Sequence, residues 1–393
     1  FGYLDADLDL AVDSLDFINM LAGNSSNFNI TGAGGVRGHL SISDGFVRAG
    51  TQLSATAENL IVDMHDINVL GKGVVNIYTP ETDDIPLGID VQYDQLTATR
   101  EGESTPFLTG ETLHLEYRGS NFITPDPSLS LADLWDDEEA RRRRANNSLS
   151  LFVDRATVPD MSALNYHLPP ETILQFAGGT TELNAKLFFG EESMSGTLQL
   201  DSVATQVQID EQRLKADLHI DMNLAGGNPR TLTADFTGST LRLFNVYVEG
   251  KREQFEGDYW STSLRITSGE AIFTQPIELS AESVITVSDT RPLVALFENR
   301  SRAPKWLGNM MSVKNLEGEA DMSLSGGKLR IPLAYVDSEK AEVGIKATFF
   351  EGEREGMAYL RYKELDTLVK RFDGKRDVDV IKAREKFEEY VLP

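Results

Sequence analysis

The stretch Leu214-Lys-Ala-Asp-Leu-His-Ile-Asp-Met-Asn-Leu224 alternates apolar and polar side chains without a slip. A β-strand turns successive side chains to opposite faces, so Leu214, Ala216, Leu218, Ile220, Met222 and Leu224 share one face. Lys215, Asp217, His219, Asp221 and Asn223 share the other. At ~3.3 Å per residue such a strand runs about 36 Å, beyond the usual ~5–6 residues. Residues 184–189, 197–209, 231–236 and 240–248 read the same way. Between them stand turn signals: Gly190-Glu-Glu-Ser, Ala225-Gly-Gly-Asn-Pro229, Gly238-Ser and Gly250-Lys-Arg. Short turns between long alternating strands predict antiparallel hairpins in series.

The 393 residues carry 37 Lys and Arg against 62 Asp and Glu, a formal charge of −25, with 40% hydrophobic residues. That apolar share excludes a disordered acidic tail. The charge excludes a phosphate-tracking nucleic-acid binder, which needs clustered cations. With no Cys there is no disulfide, thiolate metal site or cysteine nucleophile, a usage that fits a bacterial envelope protein. No apolar run approaches the ~18 residues of a membrane span, and no signal-peptide pattern occurs. Phe1 already lies inside an alternating pattern, so the chain reads as a piece of something longer.

Helical spacing is scarce. Residues 131–144 place acids first and four Arg last, which suits a helix macrodipole. Residues 160–173 and 304–311 have room for a helical turn each. In the tail, Leu365, Leu368, Val369, Phe372, Val378, Ile381 and Phe387 recur at near-helical spacing, with Gly374 as a break. The expected organisation is an N-terminal β-repeat segment (1–145) ending in the charged helix, a long-strand segment (146–362) and a helical tail (363–393). The tail is locally basic through Lys370, Arg371, Lys375, Arg376, Lys382, Arg384 and Lys386. So few helices leave the sheet to cover its own apolar face, as a sandwich, barrel or solenoid, or to hold something apolar that is not protein.

Two stretches echo each other: Leu40-Ser-Ile42-Ser-Asp-Gly45 with Leu53-Ser-Ala55, and Leu264-Arg-Ile266-Thr-Ser-Gly269 with Leu279-Ser-Ala281. Each reads as a strand, a Gly-marked turn or bulge, and a returning strand. A fainter copy begins at Leu316-Glu-Gly318 and ends at Leu329-Arg-Ile331.

Chemistry-bearing motifs are few. The five His (His39, His65, His114, His167, His219) form no metal pair at i,i+4. His219, flanked by Asp217 and Asp221, reads as a solvated or salt-bridged residue. There is no Gly-x-Ser-x-Gly elbow and no P-loop; residues 32–38 read as a turn. Asp5, Asp7 and Asp9 have the opening spacing of a calcium loop but lack its Gly and Glu, and read as the wet face of a strand. The expectation is a non-enzyme with no cofactor and no metal.

The strand–Gly–strand grammar resembles AsmA-like proteins of the Gram-negative envelope, including the TamB type and their bridge-like lipid-transfer relatives. Phrases such as Leu183-Asn-Ala-Lys-Leu187, Gly196-Thr-Leu-Gln-Leu200 and Val313-Lys-Asn-Leu-Glu-Gly318 carry it, and the texture runs from about Tyr3 to Tyr362. The resemblance implies an elongated, curled antiparallel β-sheet, open as a groove or taco-like half-barrel with an apolar lining. It further implies a periplasmic setting, an inner-membrane anchor in a longer protein, and a part in outer-membrane biogenesis. The lining expected from the residues is Leu198, Leu200, Val207, Ile209, Leu214, Leu218, Ile220, Met222, Leu224, Phe236, Val246 and Val248.

The expected function is a lipid conduit or envelope-assembly scaffold binding phospholipid or another acyl lipid, with other envelope proteins as further partners. Membrane contact is expected through the basic tail or the loop around Trp306. The alternatives are an extracellular β-solenoid or sandwich binding or acting on polysaccharide, and a structural adhesin. Aspartate at Leu218 or Met222 is expected to leave the fold intact while lowering lipid carriage, with Asp217→Asn as a neutral control.

Overall fold

The computed structural model describes residues 2–21, 28–64, 66–79, 87–119, 148–167, 174–190, 192–209, 212–248, 260–273, 277–289, 314–350, 353–372 and 375–392. The chain is mainly antiparallel β, as the alternation predicts, and its described residues hold 24 strands in one hydrogen-bonded sheet and a few short helices. The deciding stretch is a 13-residue strand, Gln212–Leu224. Its neighbours Leu174–Phe189 and Met194–Ile209 are each 16 residues long, and Thr240–Val248 has the expected limits. Two-residue turns with left-handed backbone join several hairpins, such as Asp44-Gly45 (φ 55° and 82°) and Gly326-Gly327 (φ 57° and 75°). Among the described residues no helix is long and apolar enough to cross a membrane.

The chain divides into two compact units. The first comprises residues 1–159, 182–198 and 228–230. Its strands enclose a core in which Ile30, Leu60, Val62, Val75, Leu87 and Ile89 are fully or almost fully buried. Helix α1 (Phe17–Leu21) presses Ile18 into that core. Most of the described apolar face of this unit is closed interior, with Leu4 and Leu10 on the strand Leu4–Val12 left 45% and 50% exposed.

The second unit comprises residues 160–181, 199–227 and 231–393. It has two smaller cores. One gathers Val207, Leu214, Ala216, Val246, Trp260, Val287, Leu316 and Ala341. The other gathers Tyr359, Leu368, Ala383 and Phe387.

A local device recurs in the two units. Asn19 of α1 donates to the carbonyl of Ile30 at 2.8 Å and accepts its N–H at 2.7 Å. Asn165, in the 3₁₀ helix Met161–His167, bonds both backbone groups of Phe176 at 2.8 Å. Each amide thereby replaces a missing strand partner. Leu15 and Met161, four residues ahead of each Asn, are both 0% exposed. The offset is 146 residues for the two Asn and for their partners (165 − 19, and 176 − 30). Gly32 and Gly178 stand at the same offset with φ 135° and 149°.

Several expectations change. The 363–393 segment is not a helical tail. Leu365–Phe372 and Lys375–Asp379 are strands that pair with each other, and the first also pairs with Glu353–Tyr362. The expected C-terminal helix is present but, among the described residues, is confined to α2 (Ala383–Glu389). Spacing of three and four over one short run suits either structure, and here Lys363, left-handed at φ 56°, turns the chain back onto a waiting strand. The Gly marks of the echoing stretches also differ in role. Gly45 makes a turn, whereas Gly269 lies within the strand Trp260–Ile272, where a Cβ would stand 2.6 Å from a ring carbon of Phe236. The helical turn expected in 160–173 is the 3₁₀ helix. The helices expected at 131–144 and 304–311, and the loop around Trp306, lie outside the described residues.

Candidate functional site

The Gln212–Leu224 strand carries two different surfaces. On its apolar face, Leu214, Ala216 and Leu218 are buried, with Leu218 only 4% exposed. Toward the C-terminal end the cover thins: Ile220 and Leu224 are half-buried, and Met222 is 42% exposed. One face of one strand thus passes from closed core to open surface within four residues.

Of the expected lining, Leu214, Val207 and Val246 meet in one cluster. Leu198 and Leu200 are half-buried on Met194–Ile209. Phe236 is half-buried, and its ring occupies the space above Gly269, so it serves packing within the sheet. The side chains of Ile209 and Val248 lie outside the described residues. Sequence reasoning missed Leu241 and Leu243, which stand opposite Ile220 and Leu218. A β-bulge explains the omission: Asn245 adopts φ 51° and shifts the alternation by one, so Leu241, Leu243 and Val246 share a face. Trp260, Val287, Leu316 and Ala341 were also missed, since alternation on distant strands does not reveal which of them meet.

The polar face is a network. His219 Nδ1 is paired with Asp201 of the neighbouring Met194–Ile209 strand, and Nε2 lies 2.8 Å from Asp221 Oδ2. Gln199 donates to the other Asp221 oxygen at 2.9 Å, and Arg242 stands opposite His219 in register. The hydrogen bond to Asp201 raises the His219 pKa, against the opposing effect of burial and with further help from Asp221. For Asp221, burial works against ionisation, but hydrogen bonds from Gln199 and His219 and the charges of His219 and Arg242 outweigh it and hold its pKa below the usual value. His219 is therefore salt-bridged, with Asp201 as the partner that adjacency in sequence could not show. Two further histidines pair similarly: His39 with Asp7 at 3.1 Å, and His114 with Asp90.

Asp217 corrects its part as a neutral control. Its Oδ1 accepts the Ala204 N–H at 2.8 Å and its Oδ2 accepts from Asn245 Nδ2 at 2.5 Å. Ala204 and Asn245 are both left-handed (φ 57° and 51°), so one carboxylate steadies irregular positions on two other strands. The first unit repeats the arrangement, with Asn184 Oδ1 accepting the N–H of left-handed Arg155 at 2.8 Å.

Among the described residues, three of the seven tail cations have acidic partners. Lys382 pairs with Glu385 at 2.7 Å, Arg384 with Glu388 at 2.8 Å, and Lys386 with Asp379. Asp5, Asp7 and Asp9 line the wet face of Leu4–Val12, where Arg37 pairs with Asp9 at 3.0 Å. Among the described residues no group of three or more His, Asp or Glu is arranged to hold a metal ion. No family model, no curated protein and no solved structure matches the chain.

Proposed function

We propose that this chain is a non-enzymatic, lipid-binding part of an envelope conduit or assembly scaffold. In this reading it works in the periplasm, and an acyl chain lies along the Ile220, Met222 and Leu224 half of the lining. The observation that carries the reading is the rise in exposure from Leu218 at 4% to Met222 at 42% on a single face. A soluble interior would keep that face covered to its end. Here, large apolar side chains continue in register after protein cover has thinned, with Leu241 opposite Ile220 extending the surface across the next strand.

Each CH₂ placed on such a surface contributes ~0.8 kcal/mol. Many similar small contacts hold a chain without fixing it at one point, which suits sliding better than storage. The acidic character of the protein keeps it soluble and repels anionic leaflets. The acidic partners of Lys382, Arg384 and Lys386 weaken the case for the C-terminal helix as a membrane anchor.

Native mass spectrometry after detergent-free purification tests the proposal, with uptake from phospholipid vesicles as a second measurement. Retained phospholipid that falls in Met222→Asp supports it. A protein free of lipid that takes none from vesicles overturns it, and a specific glycan-array signal from the same protein would point to polysaccharide instead.

A further inference from the structure

The back of the open lining carries a proton-binding group placed where cohesion is least assured. Around Leu214 the strands are held by the cluster of Val207, Ala216, Val246 and Trp260. Among the described residues that cluster does not extend to Ile220 and Met222, and there the side chains of the opposite face add cross-strand ties to the backbone ladder. His219 is central among them, bonding Asp201 on Met194–Ile209 and Asp221 on its own strand.

We propose that protonated His219 is a latch that fixes the open half of the lining, and that losing the proton loosens the strands behind Ile220 and Met222. The functional meaning rests on the lipid-binding reading above; the latch itself does not. An imidazolium has two N–H donors and satisfies both carboxylates, whereas neutral imidazole has one and must leave a carboxylate facing a lone pair. The surrounding charges sharpen the difference. Asp201 faces the ring from one strand, Arg242 from the other, and Asp217, Asp221 and Lys215 lie on the same side of its own strand. Asp201 and Asp221 against protonated His219 and Arg242 are balanced; removing the proton leaves one negative charge in excess.

The direction of the pH effect follows from the raised pKa of His219, caused first by its bond to Asp201. Stabilisation is complete below the ordinary histidine value of 6.5 and is lost as pH rises through the higher folded value. The latch holds in acidic surroundings and slackens as pH rises past the folded value.

Amide hydrogen exchange on the intact chain, corrected for intrinsic base catalysis, reads this directly between about pH 5.5 and 9. Protection at residues 218–223 is expected to fall about tenfold across the His219 titration, a change of ~1.4 kcal/mol, while Leu214 and Ala216 show no step. His219→Gln is expected to abolish the step. An NMR titration of the wild-type ring gives a second check that needs no variant, with a midpoint above 6.5 expected. A flat protection profile, an equal step in His219→Gln, or a midpoint at or below the ordinary value overturns the latch. A fluorescent fatty acid added to the same samples separates the two readings. Binding that weakens with the step supports both, a step without binding supports the latch and removes the lipid reading, and binding without a step does the reverse.

Discussion

The Asp217 carboxylate accepts the backbone N–H of Ala204, a left-handed residue in the middle of a neighbouring strand, at 2.8 Å. A left-handed alanine is disfavoured by its own Cβ, so this conformation persists only where surrounding bonds enforce it. The second oxygen restrains Asn245 in the same way on another strand.

Asp217→Asn is therefore expected to destabilise, because an amide offers one acceptor where two donors converge. A loss of about 1–2 kcal/mol is expected from urea denaturation, with a larger loss for Asp217→Ala. Unchanged midpoints for both variants would show that the carboxylate is dispensable to the two left-handed positions.

Leu218→Asp and Met222→Asp are expected to part company. The first buries an unpaired carboxylate and should cost several kcal/mol, or leave the second unit unfolded. The second places its charge in water and should change stability by less than about 1 kcal/mol. Circular dichroism melts of the two proteins check this, and equal behaviour would remove the distinction between a closed and an open half.

The sequence disclosed the strands and the orientation of Gln212–Leu224, since a period of two needs only neighbours to be read. It did not disclose which strands lie side by side. Asp201 and His219 are 18 residues apart, and nothing in either strand announces the other. The bulge at Asn245 was hidden because alternation on each side of it looks regular, and only the ladder reveals the slip. The tail misled because Leu365, Leu368, Val369 and Phe372 satisfy helical spacing, and the available strand at Glu353–Tyr362 decided otherwise. The duplicated Asn device escaped notice since it depends on an amide reaching a backbone eleven residues on, surrounded by unlike side chains.

Phe387→Ala is expected to cost about 3–5 kcal/mol, because the ring fills the second core and stacks on Tyr359 at 5.6 Å. Lys346→Met should cost less. It leaves the ring in place but withdraws the ammonium that donates to the carbonyls of Phe387 at 2.9 Å and Tyr390 at 2.6 Å. Thermal melts with loss of α2 signal before the rest would fit the second case, and an undiminished melt for Phe387→Ala would rule out the packing account.

Acid should weaken the second unit through specific carboxylates. The Lys386 hydrogen bond lowers the Asp379 pKa, and bonds from Thr237 lower that of Asp235. Groups with depressed folded values add stability above the ordinary 3.8 and lose it as pH falls through the lower folded value. The melting temperature is expected to drop below about pH 4, and less steeply in Asp379→Asn. An identical slope in that variant would exclude Asp379 from the transition.

Phe387 rests on a bare patch of sheet: a Cβ on Gly344 would stand 2.6 Å from its ring carbon. The side chain that covers this position is supplied by a residue 43 places later in the chain (387 − 344). During synthesis, the hairpins from Ala341 to Phe372 can pair as they emerge, yet the Tyr359 surface stays uncovered until α2 has been made. Translation therefore imposes an order on this core, with an interval in which a growing chain exposes a sticky, unfinished strand surface to its surroundings.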